Sequence, residues 1–103
     1  MVIKSKAETF IGFAIRARKI REGMNSVQTL KKAELIVCCA SASDNTKKAA
    51  VKAAAKFECP IIYSKRPLEE IVHRENVKVA AITDKSLARA VMDSAGEDFT
   101  AGI

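Results

Sequence analysis

The stretch ELIVCCA, residues 34–40, is apolar at six consecutive positions after its opening glutamate. β-Branched residues without polar alternation are typical of a strand buried on both faces of a sheet. Residues 59–64 and 77–83 form two further runs of this kind. These three runs predict the centre of a small sheet covered by helices on both sides.

Helical patterns alternate with these runs. The first spans residues 7–20 and places Phe10, Phe13, Ala14 and Ala17 on one apolar face. Residues 19–22 follow as a short strand or connector. Further helices are predicted over residues 23–32, from the capping residues 41–45 to about 57, over 67–72 from a proline, and from Asp84 to about Ser94, with Gly96 as a stop.

This order of elements predicts an α/β fold, a three-layer α/β/α sandwich with a small mixed sheet of about four strands. With 103 residues and 49% hydrophobic composition, the chain suffices for one domain spanning residues 1–103. Residues 97–103 have few apolar anchors, which predicts a loose tail.

The apolar runs also indicate where the protein resides. Residues 35–40 and 79–82 are far shorter than the roughly 18–20 residues needed to cross a bilayer, and no signal peptide is recognisable. We therefore expect a soluble cytoplasmic protein that makes no contact with membranes.

The sequence lacks the residue patterns that metal binding, cofactor binding and catalysis require. Cys38, Cys39 and Cys59 form no Cys-x-x-Cys pair, and His73 is the single histidine, so the cysteines are expected to be small buried residues in a reducing compartment. No cofactor-binding glycine signature and no nucleophile paired with a base are present. We expect no metal, no cofactor, no catalytic residues and no enzymatic activity.

Positive charge is concentrated near the start of the chain. Residues 1–32 contain eight Lys or Arg against two acids, whereas residues 33–103 contain ten of each sign. Such an asymmetry predicts a surface that meets polyanions, and nucleic acid is the leading candidate. Arg18, Lys19 and Arg21 would supply attraction that is independent of sequence.

The predicted second helix has two distinct faces. Met24, Val27 and Leu30 lie on one side, and the other side carries Asn25, Gln28, Thr29 and Lys32 at positions i, i+3, i+4 and i+7. Side-chain amides can read base edges of unpaired RNA, and a glycine such as Gly23 lets a backbone approach closely. An ordinary polar surface with standard capping residues is the alternative interpretation.

A lysine stripe marks the third predicted helix. Lys48, Lys52 and Lys56 follow one another at four-residue spacing without acids to pair with. A solvated face is the favoured interpretation, because an exposed lysine needs no partner.

Four segments carry a family resemblance. Residues 23–27, Gly-Met-Asn-Ser-Val, are similar to the Gly-x-Asn-Glu-Val motif of the kink-turn-binding ribosomal proteins typified by archaeal and eukaryotic L-seven-Ae and L-thirty-e. The segments GFAIRARKI (12–20), SASDNTKKA (41–49) and LEEIVHRENVKVAAITD (68–84) resemble a bacterial branch, the YlxQ-like ribosomal-protein homologues, in order and spacing.

The resemblance implies a protein that binds structured RNA, above all ribosomal RNA. In that family the residue matching Asn25 contacts a guanine of tandem sheared G·A pairs, and the backbone near Gly23 approaches the bent strand. The loop matching His73, Arg74, Glu75 and Asn76 closes over a flipped-out nucleotide. Ribosomal proteins are further candidate partners, and we expect a monomer when the protein is free of RNA.

Charge, helical face and resemblance together give one candidate set of RNA-binding residues: Arg18, Lys19, Arg21, Gly23, Met24, Asn25, Gln28, Thr29, Lys32, Arg74, Glu75 and Asn76. At the positions of Ser26, Thr29 and His73, the family usually has Glu, Lys and Gly, respectively. These three departures favour an alternative function, a protein-interaction module on the same fold that has lost kink-turn specificity.

Overall fold

A computed structural model describes residues 6–65, 67–72, 74–94 and 99–102. The predictions for His73, Gly96 and residues 97, 98 and 103 lie outside these ranges. Helices and strands alternate along the described residues: α1 Lys6–Arg16, β1 Ile20–Glu22, α2 Met24–Gln28, β2 Leu35–Cys39, α3 Asp44–Phe57, β3 Ile61–Ser64, α4 Leu68–Val72, β4 Val79–Ile82, α5 Lys85–Asp93 and β5 Phe99–Gly102.

The strands form one mixed sheet in the order β1-β4-β2-β3-β5. β2 runs parallel to β3, while the β1–β4, β4–β2 and β3–β5 pairs are antiparallel. Every residue of β2 and β4 is buried. The predicted strand buried on both faces is thus confirmed at the centre of the sheet.

Two groups of helices cover the sheet. α1 packs against α4 and α5, and α5 also contacts β4. α2 and α3 pack against each other, and α3 lies on β2 and β3 through Ala50, Ala53 and Ala54. The predicted three-layer α/β/α sandwich is therefore confirmed.

Side-chain caps begin two of the helices where the sequence placed them. The Ser43 hydroxyl accepts a hydrogen bond from the Thr46 amide at the start of α3. The Asp84 carboxylate accepts one from the Leu87 amide at the start of α5. Each cap satisfies an amide that the first helical turn leaves without a backbone partner.

Three predictions about the elements need correction. The tail prediction is wrong for Phe99–Gly102, because these residues pair with β3 as a fifth strand and Phe99 is only 5% exposed. Phe13 is not on the core face of α1: it is 43% exposed, and the buried apolar positions are Ala7, Ile11 and Ala14. Ala17 follows the helix and is exposed.

The second helix is shorter than predicted. α2 ends at Gln28 because the next two amides bond three residues back, Thr29 N–H to Ser26 O at 3.3 Å and Leu30 N–H to Val27 O at 3.2 Å. Such i to i−3 bonds tighten and end a helix. Lys32 therefore lies beyond the helix and not on its polar face.

Candidate functional site

The turn between β1 and α2 is built on Gly23. Its φ of 90° and ψ of 145° lie in a region that residues other than glycine rarely adopt. The Gly23 amide donates to the Val79 carbonyl at 2.8 Å, and the Gly23 carbonyl accepts from the Val27 amide at 3.0 Å. The start of α2 is thus fixed directly to the interior strand β4.

α2 presents its polar side chains outward. Val27 is fully buried, while Met24 and Leu30 pack partly against the core, as the helical wheel predicts. Asn25 and Gln28 are exposed, and their side-chain amides have no hydrogen-bond partner among the described residues. Both amides are therefore available to a ligand.

Thr29 and Lys32 have partners within the chain. The Thr29 hydroxyl donates to the Ser26 carbonyl at 2.8 Å and so supports the end of α2. Lys32 Nζ lies 3.5 Å from Glu34 Oε1, with the lysine side chain 82% exposed. Met24 is half-buried and packs against the core, so the exposed amides of Asn25 and Gln28 form the candidate reading face of α2.

The basic segment between α1 and β1 has a defined backbone. Lys19 N–H bonds to Ala14 O at 2.8 Å and Arg18 N–H to Ile15 O at 3.1 Å, the two hydrogen bonds of a Schellman motif. Arg18 occupies its left-handed position with φ of 58°, where glycine is usual. Arg18, Lys19 and the β1 residue Arg21 are all exposed, which leaves their charges accessible.

The loop of Arg74, Glu75 and Asn76 is held by a carboxylate of α4. Glu69 Oε2 accepts from the Asn76 amide at 2.7 Å, and Glu69 Oε1 accepts from Lys78 Nζ at 2.8 Å. The hydrogen bond from Lys78, followed by that from the Asn76 amide, lowers the pKa of Glu69 below its usual value. Asn76 has a left-handed φ of 60°, which asparagine tolerates well.

An ion pair joins this loop to β1. Arg74 Nη1 lies 3.8 Å from Glu22 Oε1, and the other carboxylate oxygen, Glu22 Oε2, is buried and has no hydrogen-bond partner among the described residues. Together with the bond from Gly23 to Val79, this contact brings the α2 segment and the loop to one edge of the sheet. The sequence placed both segments in one site but could not show what joins them.

Comparisons with known proteins bear on the fold alone. No family model and no curated protein matches the chain. Among solved structures, it is similar to a protein with unknown function from Bacillus halodurans C, with a TM-score of 0.74 and 20% identity over 87% of this chain and 96% of that chain. At this identity the likeness shows a shared fold, and a fold does not determine function.

The three cysteines are free thiols that lie in the core or pack against it. Cys38 and Cys39 are buried and Cys59 is half-buried. Burial raises the pKa of the Cys38 thiol to about 11. Burial also acts to raise the pKa of Cys39, but hydrogen bonds from Ser41 and neighbouring backbone outweigh it and lower that pKa overall.

Neither a metal-binding cluster nor a membrane-spanning helix occurs in the described part of the chain. No group of three or more His, Cys, Asp or Glu residues in that part is placed to hold a metal ion. Its longest helix, α3, has 14 residues, and none of its helices is long and apolar enough to span a membrane.

A groove of about 420 Å³ between α2 and α3 was not anticipated. The lysine stripe on α3 was visible in the sequence, but its position beside α2 was not. The groove is lined by Gln28, Asn45, Lys48, Ala49, Lys52, Ala53 and Lys56.

Proposed function

We propose that this protein binds structured RNA, a kink-turn or a related element of ribosomal RNA, as a ribosomal or ribosome-associated protein of the cytoplasm. One observation carries the proposal. Two segments some 50 residues apart, each similar to an RNA-contacting segment of the kink-turn-binding proteins, share one edge of the sheet. The Glu22–Arg74 ion pair and the Gly23–Val79 hydrogen bond link them there.

The polar groups of this edge suit unpaired or distorted RNA. Asn25 and Gln28 offer exposed amides that both donate and accept, which allows them to read base edges. The Gly23 turn gives the ribose-phosphate backbone room, since no heavy atom lies within 4 Å of where a Cβ would stand. Recognition would then combine base contacts with close approach of the bent strand.

Cations around this edge would supply the affinity that is independent of sequence. Arg18, Lys19, Arg21 and Arg74 are exposed. If all four neutralised phosphates, log affinity would fall with log salt at a slope of about −3 to −4. Lys32 lies beyond α2 and its exposed pairing with Glu34 is weak enough to yield to a phosphate.

The test compares a kink-turn RNA with a straight duplex of equal length. Wild type is expected to prefer the kinked RNA, and Asn25→Ala should weaken that binding roughly 5- to 150-fold, since a base contact by a side chain contributes about 1–3 kcal/mol. Ser86→Ala, which truncates an exposed residue of α5, is the matched control and should bind like wild type. Circular dichroism confirms that each variant is folded.

A protein-interaction role is the second candidate, and one surface feature favours it. Exposed Phe13 meets Phe10 edge to face with ring centroids 5.9 Å apart, and the Arg16 guanidinium lies 5.0 Å from the Phe13 centroid. Aromatic residues and arginine are enriched at protein interfaces. Failure of wild type to bind either RNA at low salt would favour this function over the first.

A further inference from the structure

The groove between α2 and α3 carries an unusual set of cations. Lys48, Lys52 and Lys56 line it along α3, and they are exposed. None of the residues lining it is acidic. Lys48 and Lys52 have no carboxylate within 4 Å in the part of the chain that the structure describes.

This set contrasts with three other cations near the candidate site. Lys78 is paired with Glu69, Lys32 with Glu34, and Arg74 is associated with a carboxylate of β1. The groove lysines therefore concentrate positive charge, and Lys48 and Lys52 form no ion pair among the described residues. Clefts lined by charge of one sign attract and concentrate polyanions.

The groove is continuous with the proposed reading face. Gln28 belongs to both, because it stands on α2 with Asn25 and also lines the groove opposite the lysines. A strand leaving the α2 edge would therefore meet the lysine row next. Positions four residues apart on a helix are separated by about 6 Å along its axis, so the three lysines extend over about 12 Å. That length covers several phosphates of one strand.

The lining also favours a double-helical ligand. No aromatic side chain lines the groove, so unpaired bases would find no stacking surface. Lysine is a compact point charge that suits phosphate oxygens and carries no base specificity. These features fit the outside of a duplex, where phosphates are presented and bases are paired.

We propose that the groove between α2 and α3 binds the phosphate backbone of a double-helical stem that flanks the bent RNA element. This inference rests on the proposed function and extends it. The α2 edge recognises the distortion, and Lys48, Lys52 and Lys56 hold the adjoining stem.

The experiment measures how affinity depends on salt for two RNAs with the same kinked element, one with a long flanking stem and one with that stem trimmed. The groove variant is Lys48→Gln/Lys52→Gln/Lys56→Gln. The control variant Lys6→Gln/Lys85→Gln/Arg89→Gln removes as many cations from α1 and α5, on the other helix layer.

The slope of log affinity against log salt is the measured quantity. On the long-stem RNA, this slope should be smaller in magnitude by about 2–3 for the groove variant than for wild type, since each neutralised phosphate contributes about 0.9. On the trimmed RNA, its slope should match that of wild type, and the control variant should keep the wild-type slope on both. Equal slopes for the groove and control variants on the long-stem RNA would overturn the proposal and leave the lysines as a solvated face.

The two proposals fail in different ways. If wild type does not distinguish kinked from straight RNA, the proposed recognition by α2 is wrong. The groove proposal is then tested with the straight duplex. A smaller salt dependence of affinity for the groove variant than for the control variant supports the proposal, and equal salt dependence overturns it.

Discussion

Replacing Gly23 with alanine should destabilise the protein through backbone strain alone. A Cβ at Gly23 would meet no heavy atom within 4 Å, so the substitution adds no clash. The backbone at φ 90° and ψ 145° is nearly restricted to glycine, and holding another residue there costs on the order of 1–3 kcal/mol. For a domain of this size the expected fall in Tm is roughly 5–20 °C.

Gly12 provides a matched control for the same chemical change. It lies inside α1, and a Cβ there also meets nothing within 4 Å. Alanine is more favourable than glycine within a helix by about 0.5–1 kcal/mol, so Gly12→Ala should stabilise the protein. The two substitutions add the same methyl group to open space and should change stability in opposite directions.

Urea unfolding followed by circular dichroism measures both effects. Similar slopes of unfolding free energy against urea for wild type and both variants would show that the midpoints report stability. A midpoint for Gly23→Ala equal to or above that of wild type would refute the reasoning, because it would mean that the turn into α2 tolerates a side chain without strain.

Two further predictions concern the segments beside this turn. Arg18→Gly should stabilise the fold by about 1–2 kcal/mol because Arg18 has a left-handed φ, and it should weaken RNA binding because a cation is lost. The control Glu58→Gly, at a left-handed φ after α3, should stabilise the fold without weakening binding. Loss of binding in both variants would contradict a role for the Arg18 charge. The pKa of Glu69 is lowered in the folded state, so its hold on the loop is present above its unfolded pKa and is lost as pH falls through the lower folded value. The NMR shift of the Asn76 amide should therefore titrate with a midpoint below 4.5, and a midpoint at or above 4.5 would show that the carboxylate does not hold the loop.

The fold was predictable where one local pattern dominates. Residues 35–39 lack alternation because both faces of β2 are buried, and the caps at Ser43 and Asp84 act through hydrogen bonds within one turn. β5 escaped prediction because Phe99 is the only large apolar residue in its four-residue sequence, which is too short and too mixed to show a strand pattern. The end of α2 was missed because the spacing of Met24, Val27 and Leu30 also fits one helical turn closed by tighter bonds.

The candidate site was predictable in its segments and not in its connections. Asn25 and the loop of Arg74 were identified from motif and resemblance, and their function stays a prediction. The contacts that position them join residues far apart in the chain, as between Glu22 and Arg74, and neither residue type alone indicates its partner. Gln28 shows the same limit, because its place beside the lysines depends on how α2 packs against α3.

The position of β4 in the sheet sets the order in which the protein can assemble during synthesis. β1 pairs with β4, with Ile20 opposite Ile82, and β4 is an interior strand between β1 and β2. A growing chain therefore produces Asn25 early, but the hydrogen bond that fixes the Gly23 turn cannot form until Val79 has emerged from the ribosome. At about 5–20 residues per second, several seconds separate the two events. A nascent chain that ends before β4 thus carries Asn25 and Gln28 without the strand that fixes the start of α2.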